Sequence, residues 1–381
     1  MKPTFPLILK TSNPPETIPL KGKKSVTKSR LDTITWTNRG MVETSWVSNR
    51  QKSFERHPNL SQVHTNEVSA DRHVGSRWFN KSLATKRSSF SGGMMENAKL
   101  VRRHLAEKGQ LVMPGVFDAL SAKIAARAGF EVIFITGYSL SATLLAEPDF
   151  GLLTQTEVVN AAQRICTVVD VPVIVDADTG YGNAVNVIRT VQDLIRVGAA
   201  GMFLEDQVWP KRCGHMKGKQ VISLDEQLRK LRAAIEARKD QDFYIVARTD
   251  SRQALGLAEA ITRGIAFKEA GADAVFVEAP ESKEEMKEIA SHVPGPLVAN
   301  MLERGVTPLM EPQELKDLGF DLIVWPLAPV YSVAKTLTDV YGTLRRDGAT
   351  TKILDRLMPF DDFNDIVGLD EKYTLDQRYR T

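Results

Sequence analysis

The sequence predicts an α/β fold, a (β/α)8 barrel of the TIM type, and three observations lead to this prediction. From about residue 110 onward, eight short apolar, β-branched runs alternate with amphipathic stretches. Glycine follows several of these stretches, at Gly129, Gly198, Gly271 and Gly319, where a helix end favours a left-handed residue. No G-x-G-x-x-G motif follows an early strand, which weighs against the alternative of a doubly wound open sheet.

The individual elements follow from the two periodicities. Strands are predicted near 111–116, 131–136, 172–176, 200–204, 243–248, 273–277, 296–300 and 321–325. Helices are predicted near 96–108, 118–128, 156–169, 184–197, 224–238, 254–270 and 283–291. Eight repeats of a strand and a helix close most simply as a barrel.

Composition sets the broad class of the protein. The chain has 381 residues, of which 43% are hydrophobic and 25% are charged, as in ordinary soluble proteins. No run of about 18 uncharged apolar residues occurs, so no membrane span and no membrane partner are predicted. The two cysteines, Cys166 and Cys213, are too few for a disulfide scaffold and favour a reducing, cytoplasmic location.

Residues 1–93 differ from the rest of the chain in amino-acid composition and periodicity. They hold 16 Lys and Arg against 6 Asp and Glu, which gives this segment a net charge of +10. Because the whole chain carries +3, the remaining residues carry −7. We predict a disordered basic extension over 1–93, a catalytic barrel over 94–349 and a C-terminal segment over 350–381 that packs on a partner subunit. An upstream reading-frame extension, with Met94 or Met95 as the start, is favoured over an organelle-targeting segment, which would move the protein out of the cytoplasm. Nucleic acid is not a predicted partner, because the basic excess is confined to this aperiodic segment.

Acidic residues end two neighbouring predicted strands. Asp176 and Asp178 follow a buried strand at alternate positions, and Glu205 ends the next strand. Catalytic groups of such barrels gather at the C-terminal ends of the strands, so these carboxylates should converge. A hard cation, Mg²⁺ or Mn²⁺, relieves their repulsion and prefers oxygen ligands. Capping of the next helix by the aspartates is the structural alternative.

The segment after Glu205 predicts a reactive thiol. The loop Lys211-Arg-Cys-Gly-His-Met-Lys-Gly-Lys places Cys213 between cations and His215, with glycines that permit movement. Nearby cations lower the pKa of a thiol, so we expect Cys213 to act as an acid or base near neutrality. His215 either supports this loop or acts directly in catalysis. Cys166 lies on the apolar face of a predicted helix and is expected to be core.

Three further strand ends add polar groups to the same rim, namely Arg248, Glu278 and Asn300. The planar guanidinium of Arg248 suits a substrate carboxylate. Acidic metal ligands, an arginine and a thiol on a flexible loop are typical of enolate-forming chemistry on a carboxylic acid. We therefore predict an enzyme with a small-molecule acid as substrate.

At this point the residues resemble the isocitrate lyase and phosphoenolpyruvate mutase superfamily, over roughly 96–345. The resemblance rests on Asp-Ala-Asp-Thr-Gly-Tyr-Gly at 176–182, on Lys-Arg-Cys-Gly-His at 211–215 and on Pro-Asp-Phe-Gly at 148–151. It implies one Mg²⁺ per site, with Asp149 meeting a metal-bound water. It also implies a homotetramer, built as a dimer of dimers, in which the last barrel helix is swapped between partners.

The same resemblance implies how the substrate is bound. A substrate carboxylate would meet hydroxyl and backbone N–H groups near Tyr138, Ser139 and Leu140. The predicted metal site therefore comprises Asp176, Asp178, Asp149 and Glu205. The predicted catalytic residues are Cys213, Arg248, His215 and Glu205. The predicted substrate-binding residues are Tyr138, Ser139, Leu140, Gly214, Arg248, Glu278 and Asn300.

Within the superfamily the sequence is most similar to 2,3-dimethylmalate lyase, methylisocitrate lyase and oxaloacetate hydrolase. We predict cleavage of a carbon–carbon bond in a small 2-hydroxy dicarboxylate to an α-keto acid such as pyruvate and a carboxylate. Methylisocitrate lyases typically follow Cys-Gly-His with Arg-Pro, whereas Met216-Lys217-Gly218 stands here, which favours a dicarboxylate over a tricarboxylate. The alternatives are oxaloacetate hydrolysis to oxalate and acetate, a phosphonomutase of the carboxyvinyl-carboxyphosphonate type, and a non-catalytic barrel that senses a metabolite.

Overall fold

A computed structural model describes residues 97–239 and 241–380. The predicted basic extension over 1–93, with the proposed starts at Met94 and Met95, lies outside the described residues.

Eight parallel strands form the predicted barrel. They are β1 (Leu111–Val116), β2 (Ile133–Ile135), β3 (Val173–Asp176), β4 (Gly201–Glu205), β5 (Tyr244–Thr249), β6 (Ala274–Val277), β7 (Val298–Asn300) and β8 (Leu322–Trp325). The order is β6-β5-β4-β3-β2-β1-β8-β7, and a parallel bridge between Val275 and Leu297 joins the two ends. All eight predicted strands are confirmed, and each observed strand lies within about two residues of its predicted bounds.

Helices follow the strands in the predicted order. They are α1 (Asn97–Lys108), α2 (Ala119–Arg127), α3 (Gly137–Leu145), α4 (Gln155–Cys166), α5 (Ala184–Arg196), α6 (Leu224–Arg238), α7 (Ser251–Leu255), α8 (Leu257–Glu269), α9 (Lys283–His292), α10 (Pro312–Leu318), α11 (Ala328–Asp347), α12 (Phe360–Val367) and α13 (Leu369–Tyr379), with a 3-10 helix at Thr351–Arg356. The predicted helix over 254–270 is wrong in one respect. It is two helices, because Gly256 takes φ 95° and ψ 170° between α7 and α8.

Alternation along the strands separates two apolar layers. Side chains such as Ile174, Phe203 and Val246 fill the barrel interior, whereas their sequence neighbours pack outward against the helices. Helix α1 joins the interior layer through Ala98 and Val101, so it covers the N-terminal end of the barrel. The opposite end is therefore the one that can hold a site.

The C-terminal helices leave much apolar surface uncovered. Of the 20 residues of α11, only Val330 and Thr343 are buried, while Leu337 and Tyr341 are exposed. Helices α12 and α13 contain no buried residue. Among the helices of the described residues, none is both long and apolar enough to cross a membrane.

Candidate active site

The candidate site is a small cavity at the C-terminal ends of the strands. Its volume is about 40 Å³, which suits a few water molecules. Its floor consists of Phe134, Phe203 and Phe276, whose neighbouring ring centroids lie 4.7 and 5.8 Å apart. Its walls include the predicted residues Tyr138, Asp149, Asp176, Cys213, Gly214, His215, Arg248, Glu278 and Asn300.

The period of two along each strand explains this convergence. Phe203 and Phe276 point into the barrel, so the residues two positions further on, Glu205 and Glu278, point inward one layer higher. Arg248 of β5 stands in the same layer, because its register partner on β4 is Glu205. Burial of all three side chains follows directly from their place above the aromatic floor.

Asp176 and Asp178 meet beside the first residue of α3. A Cβ atom added to Gly137 would lie 3.1 Å from Asp176 Oδ2 and 3.3 Å from Asp178 Oδ1, so both carboxylates flank this glycine. The alternate positions of the two aspartates along a strand do not explain this approach. Strand β3 ends at Asp176, and Asp178 has φ 48°, so it reaches the site through a turn rather than through the pleat. The Asp178 N–H donates to Asp176 Oδ1 at 3.2 Å, which fixes this turn.

Lys211 is the counter-ion of an acidic cluster formed by Asp149, Asp176, Asp178 and Glu205. The sequence indicated only that Lys211 is a cation near the thiol. Its Nζ lies 2.7 Å from Asp149 Oδ1 and 2.6 Å from Asp178 Oδ1, and its side chain is buried. Burial, with repulsion from Asp176 and Asp149, raises the pKa of Asp178 to about 7, although Lys211 opposes the shift. The position of Lys211, two residues before the thiol, is the signal that could have identified it.

The carboxylates fit a hydrated hard cation better than a fully protein-bound one. Among the residues that the structure describes, no three His, Cys, Asp or Glu side chains form a complete ligand set. Both Glu205 oxygens and the Tyr181 hydroxyl are buried without a hydrogen-bond partner among residues 97–239 and 241–380, which leaves acceptors and a donor for water around an ion. Oxygen ligands with several retained waters are the environment that Mg²⁺ prefers.

Cys213 lies on the loop after β4 and lines the cavity. Its N–H donates to the Asp149 carbonyl at 3.0 Å. Burial, together with the charge of Asp149, raises the pKa of Cys213 to about 12. The predicted lowering is therefore wrong, because burial and Asp149 outweigh the opposing charge of Lys211, and Arg212 lies over the Phe150 ring instead. A protonated thiol is a proton donor and not a ready nucleophile.

His215 joins the loop to two strands and to the segment after β7. The Val306 N–H donates to its Nδ1 at 2.9 Å, so the proton of the neutral ring is on Nε2. Nε2 lies 3.1 Å from Glu278 Oε1 and therefore donates to it. Asn300 Nδ2 also donates to Glu278, at 3.3 and 3.4 Å. The supporting role predicted for His215 is the one that this geometry favours.

Arg248 has one edge occupied and one nitrogen free. Its Nε and Nη2 donate to Asp250 at 2.9 and 3.1 Å, and Nη2 lies 3.3 Å from Glu205 Oε2. Within the described part of the chain, Nη1 makes no hydrogen bond, so it remains available to a substrate carboxylate. Asp250, which the sequence analysis missed, orients this guanidinium.

The segment predicted to bind a carboxylate is the start of α3, and only part of it reaches the cavity. Tyr138 lines the cavity as predicted. Ser139 donates its hydroxyl to the Pro326 carbonyl at 3.2 Å, and Leu140 is fully buried in the core with its N–H bonded to Thr136. The Ser139 hydroxyl and the Leu140 N–H are thus engaged within the fold, and the carboxylate contacts of this segment stay a prediction.

Comparison with known proteins agrees with this geometry. The phosphoenolpyruvate phosphomutase family model matches residues 101–344. A 2,3-dimethylmalate lyase from Eubacterium barkeri is 45% identical over 287 residues, which is 75% of this chain and 99% of the relative. A chloroplastic carboxyvinyl-carboxyphosphonate phosphorylmutase from Arabidopsis thaliana is 51% identical over 281 residues, 73% of this chain and 83% of the relative.

The structural comparison gives the same result. A crystal structure of oxaloacetate acetylhydrolase with the inhibitor 3,3-difluorooxalacetate superposes with a TM-score of 0.71 at 35% identity, over 74% of this chain and 97% of that one. The residues that the family model matches, 101–344, include all eight strands of the barrel. The chain therefore belongs to the phosphoenolpyruvate mutase/isocitrate lyase superfamily of enzymes.

Proposed function

We propose that this protein is a metal-dependent carbon–carbon lyase that cleaves a 2-hydroxy dicarboxylate of the 2,3-dimethylmalate type to pyruvate and a carboxylate. The observation that carries the proposal is that the Cys213 thiol lines the same small cavity as Arg248 and the carboxylates of Asp149 and Asp176. Similarity to a 2,3-dimethylmalate lyase supports the choice of substrate class.

In this mechanism the protein binds, orients and moves protons. Arg248 Nη1 binds the carboxylate next to the hydroxyl-bearing carbon. A base removes the hydroxyl proton, the bond between carbons 2 and 3 breaks, and its electron pair passes to carbon 3. Cys213 donates its proton to that carbon, which gives propionate from dimethylmalate, and both protonation states are restored by exchange with solvent. The closed loop keeps water from the reacting carbon.

The acidic cluster would hold the metal. Asp176 and Asp178 are the proposed protein ligands, with Asp149 and Glu205 placed to accept hydrogen bonds from metal-bound water. When bound, Mg²⁺ or Mn²⁺ would supply positive charge that stabilises negative charge on the substrate oxygen. Lys211 would then share Asp149 and Asp178 with the ion.

Product analysis tests the proposal directly. Purified protein with Mg²⁺ is offered dimethylmalate, methylisocitrate, isocitrate, oxaloacetate and phosphonopyruvate, and pyruvate, glyoxylate, oxalate and succinate are measured separately. Pyruvate from dimethylmalate with the highest kcat/KM is the expected result. Absence of pyruvate from every hydroxy acid in the panel would exclude the lyase.

Two other activities are supported by particular comparisons. Hydrolysis of oxaloacetate to oxalate and acetate is suggested by the structural match to an oxaloacetate acetylhydrolase. A phosphonomutase activity is suggested by the relative from Arabidopsis thaliana. Cys213 counts against the second, because phosphonomutases of this superfamily generally lack the loop cysteine. The same panel distinguishes the lyase from the hydrolase by pyruvate and oxalate, and phosphoenolpyruvate formed from phosphonopyruvate would identify a phosphonomutase.

We also propose a homotetramer in which α11 packs on a partner subunit. The support is the exposed apolar face of α11, including Leu337 and Tyr341, and its nearly complete lack of buried residues. Light scattering of Tyr341→Asp against the parent chain tests this assembly.

The proposed location is the cytoplasm, or an organelle if residues 1–93 are a targeting segment. Imaging of full-length and Met94-truncated fusions distinguishes the two.

A further inference from the structure

Lys219 is a buried ammonium behind the loop that carries the thiol. Neither its side chain nor that of Asp250 is exposed, and its Nζ lies 2.9 Å from Asp250 Oδ1. Its Nζ also donates to the Gly214 carbonyl, next to Cys213 in the chain. Lys219 therefore joins the tip of the loop to the barrel.

The two ends of this link differ in how firmly they are fixed. Gln207 and Val221 form an antiparallel bridge, and the Ile222 N–H donates to the Asp206 carbonyl at 2.9 Å, so the stem of the loop is attached to the barrel. Lys219 lies beside this stem. The tip, 211–218, includes two glycines and an exposed Lys217, and side chains rather than backbone pairing attach it to the barrel, through Lys211 and His215 as well as Lys219.

The barrel end of the link is rigid. The Asp250 N–H donates to Asp206 Oδ1 at 2.9 Å, and Asp206 also accepts hydrogen bonds from Thr249 and Arg263. Asp250 binds Arg248 through the two hydrogen bonds given above. A single carboxylate thus contacts both the substrate-binding arginine and the lysine that holds the loop tip.

We infer that Lys219 is a positioning residue that latches the Cys213 loop in its closed position. A buried ammonium is costly unless its donors are paired. Only the closed tip offers the Gly214 carbonyl as a second partner, so the closed position is the one in which Lys219 is satisfied.

The inference rests on the proposed function in that Cys213 is taken as the proton donor. Removing the latch should misplace this donor while leaving the strand-borne Arg248, Glu278 and Asn300 in position. We therefore expect kcat to fall at least tenfold in Lys219→Ala, with KM changed less than threefold. Lys217→Ala, in the exposed tip, is the matched control and should retain both constants.

Alkylation of Cys213 tests the latch without any substrate. Full-length parent chain, Lys219→Ala and Lys217→Ala are treated with iodoacetamide, and the peptide containing Cys213 is followed by mass spectrometry. The expected result is alkylation at least tenfold faster in Lys219→Ala alone. If no substrate is turned over, the proposed function fails, but this rate still decides whether the latch exists.

Chemical rescue separates positioning from general loss of structure. The alanine variant lacks three methylenes and an ammonium, a space that matches n-propylammonium, which should restore slow alkylation and raise turnover in a saturable way. Tetramethylammonium has no N–H donor and should do neither. Lys219→Met, which removes the ammonium but fills most of its space, provides the alkylation and kcat readouts without the rescue if the alanine variant does not fold. Alkylation at the parent rate in the folded variants, or loss of kcat without rescue in Lys219→Ala, would overturn the inference.

Discussion

Gly214→Ala tests whether the closed loop is needed for turnover. A Cβ atom on Gly214 would lie 2.5 Å from Glu278 Cγ and 2.6 Å from Arg248 Nη2. Gly214 does not have a positive φ, so alanine adopts its backbone conformation without strain. The substitution therefore adds a steric conflict between the loop and two buried side chains of the barrel.

The size of the effect follows from these distances. Ordinary contact between heavy atoms is about 3.5 Å, so the tip must retreat by about 1 Å. A displacement of that size in a catalytic group can cost about 10²-fold in rate, or about 2.7 kcal/mol of transition-state stabilisation. Because the conflict exists only with the loop closed, the open protein should be as stable as the parent.

The assay compares kcat, KM and thermal midpoint for the parent chain, Gly214→Ala and Lys217→Ala. We expect kcat near one hundredth of the parent value in Gly214→Ala, a midpoint within about 2 °C, and parent values for Lys217→Ala. A Gly214→Ala enzyme with the parent kcat would refute the reasoning, since a closed loop could not then be part of the reaction.

The other predictions concern the thiols and the metal. Cys213→Ser should lower turnover by about 10²-fold or more, the contribution typical of a positioned acid, while thermal stabilisation by Mg²⁺ persists; full activity would remove the thiol from the mechanism. Chelation with EDTA should abolish turnover and added Mg²⁺ should restore it, and Asp176→Asn should require more Mg²⁺ for half-maximal stabilisation in a thermal shift titration. Burial raises the pKa of Cys166 from 9.0 to about 12, so the folded chain keeps a proton that the unfolded chain releases, and stability is lost as pH rises through this window. Urea unfolding at pH 7.5 and 10 should show this loss to be about 1.4 kcal/mol smaller in Cys166→Ala than in the parent; equal losses would show that Cys166 is not protected.

The strands could be predicted because each one obeys two constraints at once. A barrel strand is buried on both faces, so runs such as Val173–Asp176 are apolar until the last residue. A charged residue that ends such a run must lie at the open end of the barrel. Glu205, Arg248 and Glu278 could therefore be assigned to one rim without any knowledge of distances.

Other features depend on contacts that spacing does not encode. Helix α3 begins after Thr136 without a side-chain cap, and its sequence has no clear amphipathic period, so it was not predicted. Leu140 was assigned to the substrate by resemblance, but tertiary packing places it in the core. The roles of Lys211 and Lys219 follow from carboxylates far away in the sequence. Without those partners, the sequence does not distinguish a buried, ion-paired lysine from an exposed one.

The charges at the rim explain why metal and substrate should bind together. Six acidic side chains, Asp149, Asp176, Asp178, Glu205, Asp250 and Glu278, meet three cations, Lys211, Lys219 and Arg248, within the same buried region. Burial raises the pKa values of Asp178 and Glu205, which reduces the negative charge when no ion is present. A dicarboxylate would still face a site without surplus positive charge, apart from one free nitrogen on Arg248. A divalent cation changes that balance by two charges, so we expect it to enable binding of the dicarboxylate as well as the chemistry that follows.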